Sequence, residues 1–292
     1  MTSTEFAGVS SMARTLRRVG LRRPGAILTA DHQTWHYGSP IDADALTAQY
    51  EQFVALVEAS GTEIAWFDDA EDDLADSIFT YDPSFVVPGG AVLLRPGKDL
   101  RVGEVGVHRA FYDANSIPIL GEIEAPGTIE GGDCFFLDDE TLIVGQGFRT
   151  NRSGIEQLRD ILSPLGVAVE AYDLPYYAGP EACLHLMSMV SPLDDDLALV
   201  HAPLMPTALY QRMLDAGYTL LHGPEAEFIE SFGLNLNVLA TAPREVIAVD
   251  GFPETVALMR SAGCSVQTFE ANALCLPCEG GPTCLTRPLS RA

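Results

Sequence analysis

Lysine is almost absent from this chain. Of 17 basic residues in 292, only Lys98 is a lysine, and 41 acidic residues leave a formal charge of -24. A surface so short of positive charge cannot collect phosphates, which excludes a nucleic-acid binder held by backbone contacts. The scarcity of lysine itself reads as base composition or salt adaptation and assigns no function. Apolar runs of the roughly 18–20 residues that cross a bilayer are missing too, so no membrane partner is expected. The opening stretch MTSTEFAGVSSMARTLRRVG lacks the apolar core of a secretory signal. These absences predict a cytoplasmic protein with a flexible arm over residues 1–22 and one domain over 23–292. Six cysteines (Cys134, Cys183, Cys264, Cys275, Cys278, Cys284) do not make a disulfide framework in a chain of this length and are read as thiols.

What is plentiful is apolar. Hydrophobic residues make up 47% of the chain against 20% charged, enough for a substantial core and incompatible with disorder of the whole. The apolar segments recur in a fixed order: strand, tight turn, strand, helix, strand. CFFLDDETLIVG, SGIEQLRDILSPLG and VAVEAYDL form the clearest unit, and hairpins opening near Phe85, Phe135, Ser188 and Asn237 are spaced by 50, 53 and 49 residues. At the N-terminus, GAILTA, DADALTAQYEQFVALVEASG and EIAWFD read as a strand, a helix and a strand with the first strand missing. At the far end Cys284 opens CLTRPL, a strand with no helix after it. The fold class predicted is therefore α/β: five strand-strand-helix-strand units around a pseudo-fivefold axis, an α/β propeller closed by its N- and C-terminal strands. A three-layer α/β sandwich is the alternative.

Equivalent positions in a ring face a common axis, so the polar residues just ahead of each hairpin are candidates for a shared site. They are Asp82, Glu130 with Asp133, His185, Asn235 and, before the closing strand, Cys284. A thiol, an imidazole and carboxylates converging on one channel supply a nucleophile, an acid/base and a clamp for a cation.

IEGGDCFFL (129–137), GFRTNRSG (147–154), CLHLMSMV (183–190) and EGGPTCLTRPL (279–289) resemble the guanidino-group-modifying enzymes, amidinotransferases and arginine deiminases among them. The resemblance is greatest to the dimethylarginine dimethylaminohydrolase branch and covers about 22–289. It implies a five-unit propeller, the pentein fold, and a cysteine-dependent hydrolase that turns Nω-methylated arginine into citrulline and an amine through a covalent amidino-thioether. It further implies Cys284 as nucleophile, His185 as proton shuttle and Glu130 as the residue that orients it. Asp82 and Asp133 would serve substrate binding, with Arg101 and Arg149 for a distal carboxylate, and the glycines at 131, 132, 280 and 281 would allow close backbone approach. No metal or organic cofactor is implied, and the partner is a small cationic guanidino compound. A homodimer is open, because propeller flanks often pair.

One departure matters. Deiminases and amidinotransferases carry an aspartate two residues after the histidine, and here that position is Met187. Loss of one carboxylate favours a guanidine with fewer free N–H groups. Deimination of free arginine and amidino transfer remain open, as does the non-catalytic ribosome-binding propeller, which would need no such constellation. Cys275, Cys278 and Cys284 could alternatively form a zinc site or a redox pair, although only one C-x-x-C is present.

Overall fold

A hydrophobic first and second strand in each repeat, with a half-polar third, dictates how the sheets sit: the first two are covered on both faces and the third meets water. The computed structural model describes residues 6, 8–68, 73–180, 182 and 184–292. Cys183 and the middle of the acidic run between Asp68 and Asp76 lie outside the described residues.

In chain order, the N-terminal part comprises Leu16–Leu21 (β1), the short helix His32–Trp35 (α1), Ala43–Ala59 (α2) and Glu63–Trp66 (β2). The second unit is Ser84–Val87 (β3), Gly90–Leu93 (β4), Glu104–Ala114 (α3) and Ile119–Glu122 (β5). The third is Cys134–Asp138 (β6), Thr141–Gln146 (β7), Arg152–Leu162 (α4) and Ala168–Asp173 (β8). The fourth is Val190–Asp194 (β9), Leu197–Val200 (β10), Thr207–Asp215 (α5) and Thr219–His222 (β11). The fifth, led by Glu225–Ser231 (α6), is Leu239–Ala242 (β12), Glu245–Val249 (β13), Pro253–Ser261 (α7) and Ser265–Phe269 (β14); Arg287–Arg291 (β15) ends the chain.

The described strands form five three-stranded sheets, each with a middle strand antiparallel to one neighbour and parallel to the other. This is the expected pentein-type propeller. The closing sheet is β15-β1-β2, with Val19 opposite Pro288 and Gly20 opposite Arg287, so the C-terminal strand does supply the partner that the first unit lacks. Its middle strand is LRRVGL and not GAILTA, which winds into a 3-10 turn at Ala26–Thr29. Two consecutive arginines interrupt the apolar pattern of β1 and hid it. The third hairpin begins at Val190 and the fourth at Leu239, two residues later than the periodicity suggested, because Leu186–Ser188 and Leu234–Leu236 wind into 3-10 turns first.

The arm expected over 1–22 is corrected in the same region. Residues 16–21 are a propeller strand, and the chain from Gly8 is fixed across the sheet ends: the Gly8 carbonyl accepts from the Arg291 N–H at 3.1 Å, Val9 and Ala13 are buried, and Arg14 forks onto Asp139 at 2.5 and 3.0 Å. Burial of apolar side chains holds it down. Helices cover the outside of the sheets. In α4, Asn151 caps the first turn by accepting the Gly154 N–H at 2.9 Å, and Ile155, Leu158 and Leu162 form the buried stripe.

The turns that precede the first strands are stitched to one another around the axis. The Tyr81 N–H donates to the Cys284 carbonyl, Gly131 N–H to the Asp82 carbonyl, Leu186 N–H to Asp133 Oδ1, Ser191 Oγ to the Leu236 carbonyl and Thr283 N–H to Asn237 Oδ1. Buried Arg287 adds a rivet by donating to the Tyr81 and Ser84 carbonyls, its guanidinium 4.3 Å from the Tyr81 ring centroid.

Ring closure should be measurable. Leu289 of β15 is fully buried beside Ala65, Phe67 and Val86. Leu289→Ala is expected to cost about 2–5 kcal/mol in urea denaturation; a loss below about 0.5 kcal/mol would show that the closing strand carries little of the stability.

Candidate active site

Each stitched turn delivers a side chain to one channel. Glu130 is fully buried, and its Oε2 lies 2.6 Å from His185 Nε2. Its Oε1 accepts from the backbone N–H groups of Gly97 and Lys98 at 2.9 and 3.2 Å and from Arg149 Nη1 at 3.3 Å. Burial alone would raise this carboxyl, but the His185 hydrogen bond and charge, helped by Arg149 and Arg101, hold it well below the usual carboxylate range. An ionised Glu130 therefore fixes the orientation of the imidazole.

Asp82 lies across the channel. Its Oδ1 accepts the Gly132 N–H at 2.8 Å and its Oδ2 accepts from Arg101 Nη1 at 2.5 Å. Gly132 must lack a side chain, since a Cβ there would lie 2.5 Å from His185 Nδ1 and 3.1 Å from Asp82 Oδ1. Carboxylate oxygens of Asp82 and Glu130 and a ring nitrogen of His185 all fall within 4.8 Å of one another. Those donors could surround a cation, and because each acid already has a cationic partner, a diffuse guanidinium suits them better than a compact metal ion. Among the described residues the C-terminal cysteines form no such cluster with a histidine, and Cys275 is in the core.

Cys284 is half-buried on the same wall, with Asn237 Nδ2 donating to its Sγ at 2.9 Å. Burial, then the charge of Asp82, pushes its thiol up to about 11, against the pull of Asn237, the Gly281 N–H and His185. At rest the sulfur is a neutral thiol.

Three sequence expectations change. Arg101 lines the channel with its guanidinium already engaged: Nε and Nη2 bond Glu104 at 3.0 and 2.9 Å, Nη1 holds Asp82, and Nη2 also reaches the Phe79 carbonyl at 2.8 Å. It positions Asp82. Asp133 is buried behind the site, pushed up to about 6 by burial against the pull of His185. Its Oδ1 accepts the Leu186 N–H, so it shapes the turn that carries His185. Asn235 faces away, hydrogen-bonding Ser231 and Thr255, and the residue that reaches the sulfur is Asn237. Asn237 precedes β12 by two residues, the offset Asp82 has from β3, and that shared offset is the signal that could have identified it. Arg149 does line the channel, tied to Glu130.

The channel opens into a cavity of about 540 Å³ walled by Trp35, Asp76, Lys98, Phe148, Tyr177 and Glu279 in addition to the residues above. A smaller chamber of about 40 Å³ shares His185, Cys284 and Glu279 with this cavity, and its walls also include Met187, Ser188 and Asn237.

A profile of the arginine deiminase family matches residues 70–223, more than half of the chain. The chain belongs to the arginine deiminase family. It is an amidinohydrolase acting on carbon–nitrogen bonds, one of the guanidino-modifying enzymes. Within the family it is 32% identical to an N(G),N(G)-dimethylarginine dimethylaminohydrolase of Streptomyces coelicolor, over 79% of this chain and 88% of that one. It is 27% identical to an arginine deiminase of Listeria welshimeri, over 75% of this chain and 63% of the other. Its fold superimposes on a dimethylarginine dimethylaminohydrolase of Pseudomonas aeruginosa solved with citrulline (TM-score 0.75, 21% identity, 94% and 99% covered). It also superimposes on an amidinotransferase from Microseira wollei (TM-score 0.81, 16% identity, 98% and 97% covered).

A resting thiol near 11 makes a direct prediction. Alkylation of Cys284 by iodoacetamide, followed by peptide mapping, should accelerate roughly tenfold per pH unit between about pH 7 and 10. Asn237→Ala should slow it at every pH. A flat rate from pH 7 to 9 would mean that the thiolate already exists at rest.

Proposed function

We propose that the protein hydrolyses an Nω-methylated arginine to citrulline and methylamine or dimethylamine, with Cys284 as nucleophile and His185 as the proton shuttle. The observation that carries this reading is the wall of the small chamber: behind Cys284 and His185 stands the thioether of Met187, 7% exposed, where a carboxylate would hold an unsubstituted nitrogen. A methylated nitrogen directed there would set its methyl groups against the Met187 thioether, although Glu279 also lines the chamber. The 32% identity to a dimethylarginine dimethylaminohydrolase supports the same substrate.

Asp82 and Glu130 face the remaining guanidinium nitrogens and hold the carbon before the sulfur. A bound cation lowers the thiol's pKa by Coulombic attraction and reverses the effect of Asp82. The Cys284 proton passes to His185, the thiolate attacks the guanidinium carbon, and the C–N bond to the methylated nitrogen breaks as His185 returns the proton to the departing amine. What remains is an amidinium thioether on Cys284. Water, deprotonated by the now neutral His185, attacks the same carbon; the C–S bond breaks, the sulfur is released, and loss of a proton gives the ureido product.

The five described cysteines are free thiols, which fits our placement of the enzyme in the cytoplasm. No helix among the described residues is long and apolar enough to cross a membrane.

A panel of guanidines, with both products identified by mass spectrometry, tests the reading. Methylated arginine should give citrulline and an alkylamine. Ammonia from free arginine alone would make the protein a deiminase, and ornithine with an amidinated amine would make it a transferase. Cys284→Ser should lower turnover by about three orders of magnitude or more with an unchanged circular dichroism spectrum; retained activity would sink the mechanism. Met187→Asp should lower the preference for methylated over free arginine by about tenfold or more, read as the ratio of kcat/KM values.

A further inference from the structure

The large cavity and the small chamber meet at the nucleophile, and four residues line both: His185, Cys284, Glu279 and Phe232. The first two are the reacting pair. Glu279 is exposed, so water can satisfy its carboxyl group. Phe232 has no part in the steps above, yet the chain holds it there in an unfavourable conformation.

Phe232 follows helix α6, and the helix does not need its ring. Phe228, one turn earlier, is the anchor: it is buried and stacked on His201 with ring centroids 3.6 Å apart. Phe232 is 70% exposed. Its backbone is left-handed at φ 52° and ψ 37°, and Gly233 continues the turn at φ 85° into the buried Leu234–Leu236 segment. The Gly233 N–H donates to the Phe228 carbonyl at 2.9 Å, which fixes this helix end. Such an end favours glycine or asparagine at the left-handed position, because a Cβ there crowds the backbone. Exposure of one aromatic side chain would mean little by itself. Exposure together with backbone strain, at the junction of two voids and beside the reacting pair, marks a side chain kept for a ligand.

The chamber's other walls say which part of the ligand this is. They include the Met187 side chain and Tyr81. A volume of about 40 Å³ has room for about three water-sized groups, which matches the three heavy atoms of a dimethylamino group. Aromatic rings and thioethers both attract methyl groups that share a cationic charge. We propose that Phe232 is a specificity-determining residue that closes the chamber over the N-alkyl substituent of the guanidinium, favouring an alkylated nitrogen and limiting the size of its substituent. The assignment rests on the methylarginine reading above and adds the residue that covers the alkyl group on the side facing water. A ring that served only the fold would affect every guanidine alike.

Phe232→Asn removes the ring and suits the left-handed backbone, so stability and selectivity should move in opposite directions. The melting temperature should rise by about 1–3 °C. The ratio of kcat/KM for Nω,Nω-dimethylarginine over arginine should fall about tenfold, and the ratio for Nω-propylarginine over dimethylarginine should rise by about as much, because the chamber has lost its outer wall. Phe232→Tyr keeps an aromatic face and should hold both ratios to within about threefold of those of the unaltered chain. Unchanged ratios in Phe232→Asn, or an equal fall for every guanidine, would overturn the assignment. A melting temperature lowered by several degrees would do the same, since the ring would then be packed for stability. Turnover of dimethylarginine by the unaltered protein separates the two readings: without it the methylarginine reading fails and Phe232 with it, whereas turnover with unmoved ratios removes the role of Phe232 alone.

Discussion

A closed belt of hydrogen bonds around the axis is the constraint on which the active site depends. Four links tie the turn ahead of one first strand to the turn of the next, through Cys284 and Tyr81, Asp82 and Gly131, Asp133 and Leu186, and Asn237 and Thr283, and the fifth joins Ser191 of β9 to Leu236. Most of these residues carry chemistry or adjoin one that does. The backbone and buried side-chain groups that would be costly to leave unpaired at the centre of a ring are thus satisfied by the same contacts that aim the functional side chains. Rigidity and catalytic geometry have one origin.

The second organising principle is charge compensation in a space with little water. Glu130 is held by His185, Arg149 and two backbone N–H groups, and Asp82 by Arg101 and Gly132. Carboxyl groups compensated in this way cost the fold less to bury. Burial first, and then the charge of Asp82, pushes the Cys284 thiol up. A cation bound there would offset that effect and favour the thiolate. A thiol left neutral between turnovers is also less open to stray electrophiles.

Much of this was legible in the sequence, because repetition converts weak local signals into a pattern with a register. The apolar periodicity of CFFLDDETLIVG and its counterparts gave five units and the closing role of the C-terminal strand, and the residues before each hairpin gave Asp82, Glu130, His185 and Cys284. What failed did so for local physical reasons. Two arginines disguised β1, and 3-10 turns after His185 and Gly233 moved two strand starts by two residues, which sent the prediction to Asn235 instead of Asn237. Arg101 and Asp133 were recognised as near the site, but whether a charged side chain faces a ligand or supports a neighbour depends on partners far away in sequence, such as Glu104 for one and Leu186 for the other.

The pairing of β1 with β15 joins residues from almost opposite ends of the chain, and Cys284 sits three residues ahead of β15. Contacts of such long range form late, since the loop entropy of nearly the whole polypeptide must be overcome first. A ribosome therefore delivers Cys284 after the residues that form the channel's other walls, and until β15 docks on β1 the ring is open and the sulfur is not yet held beside Asn237.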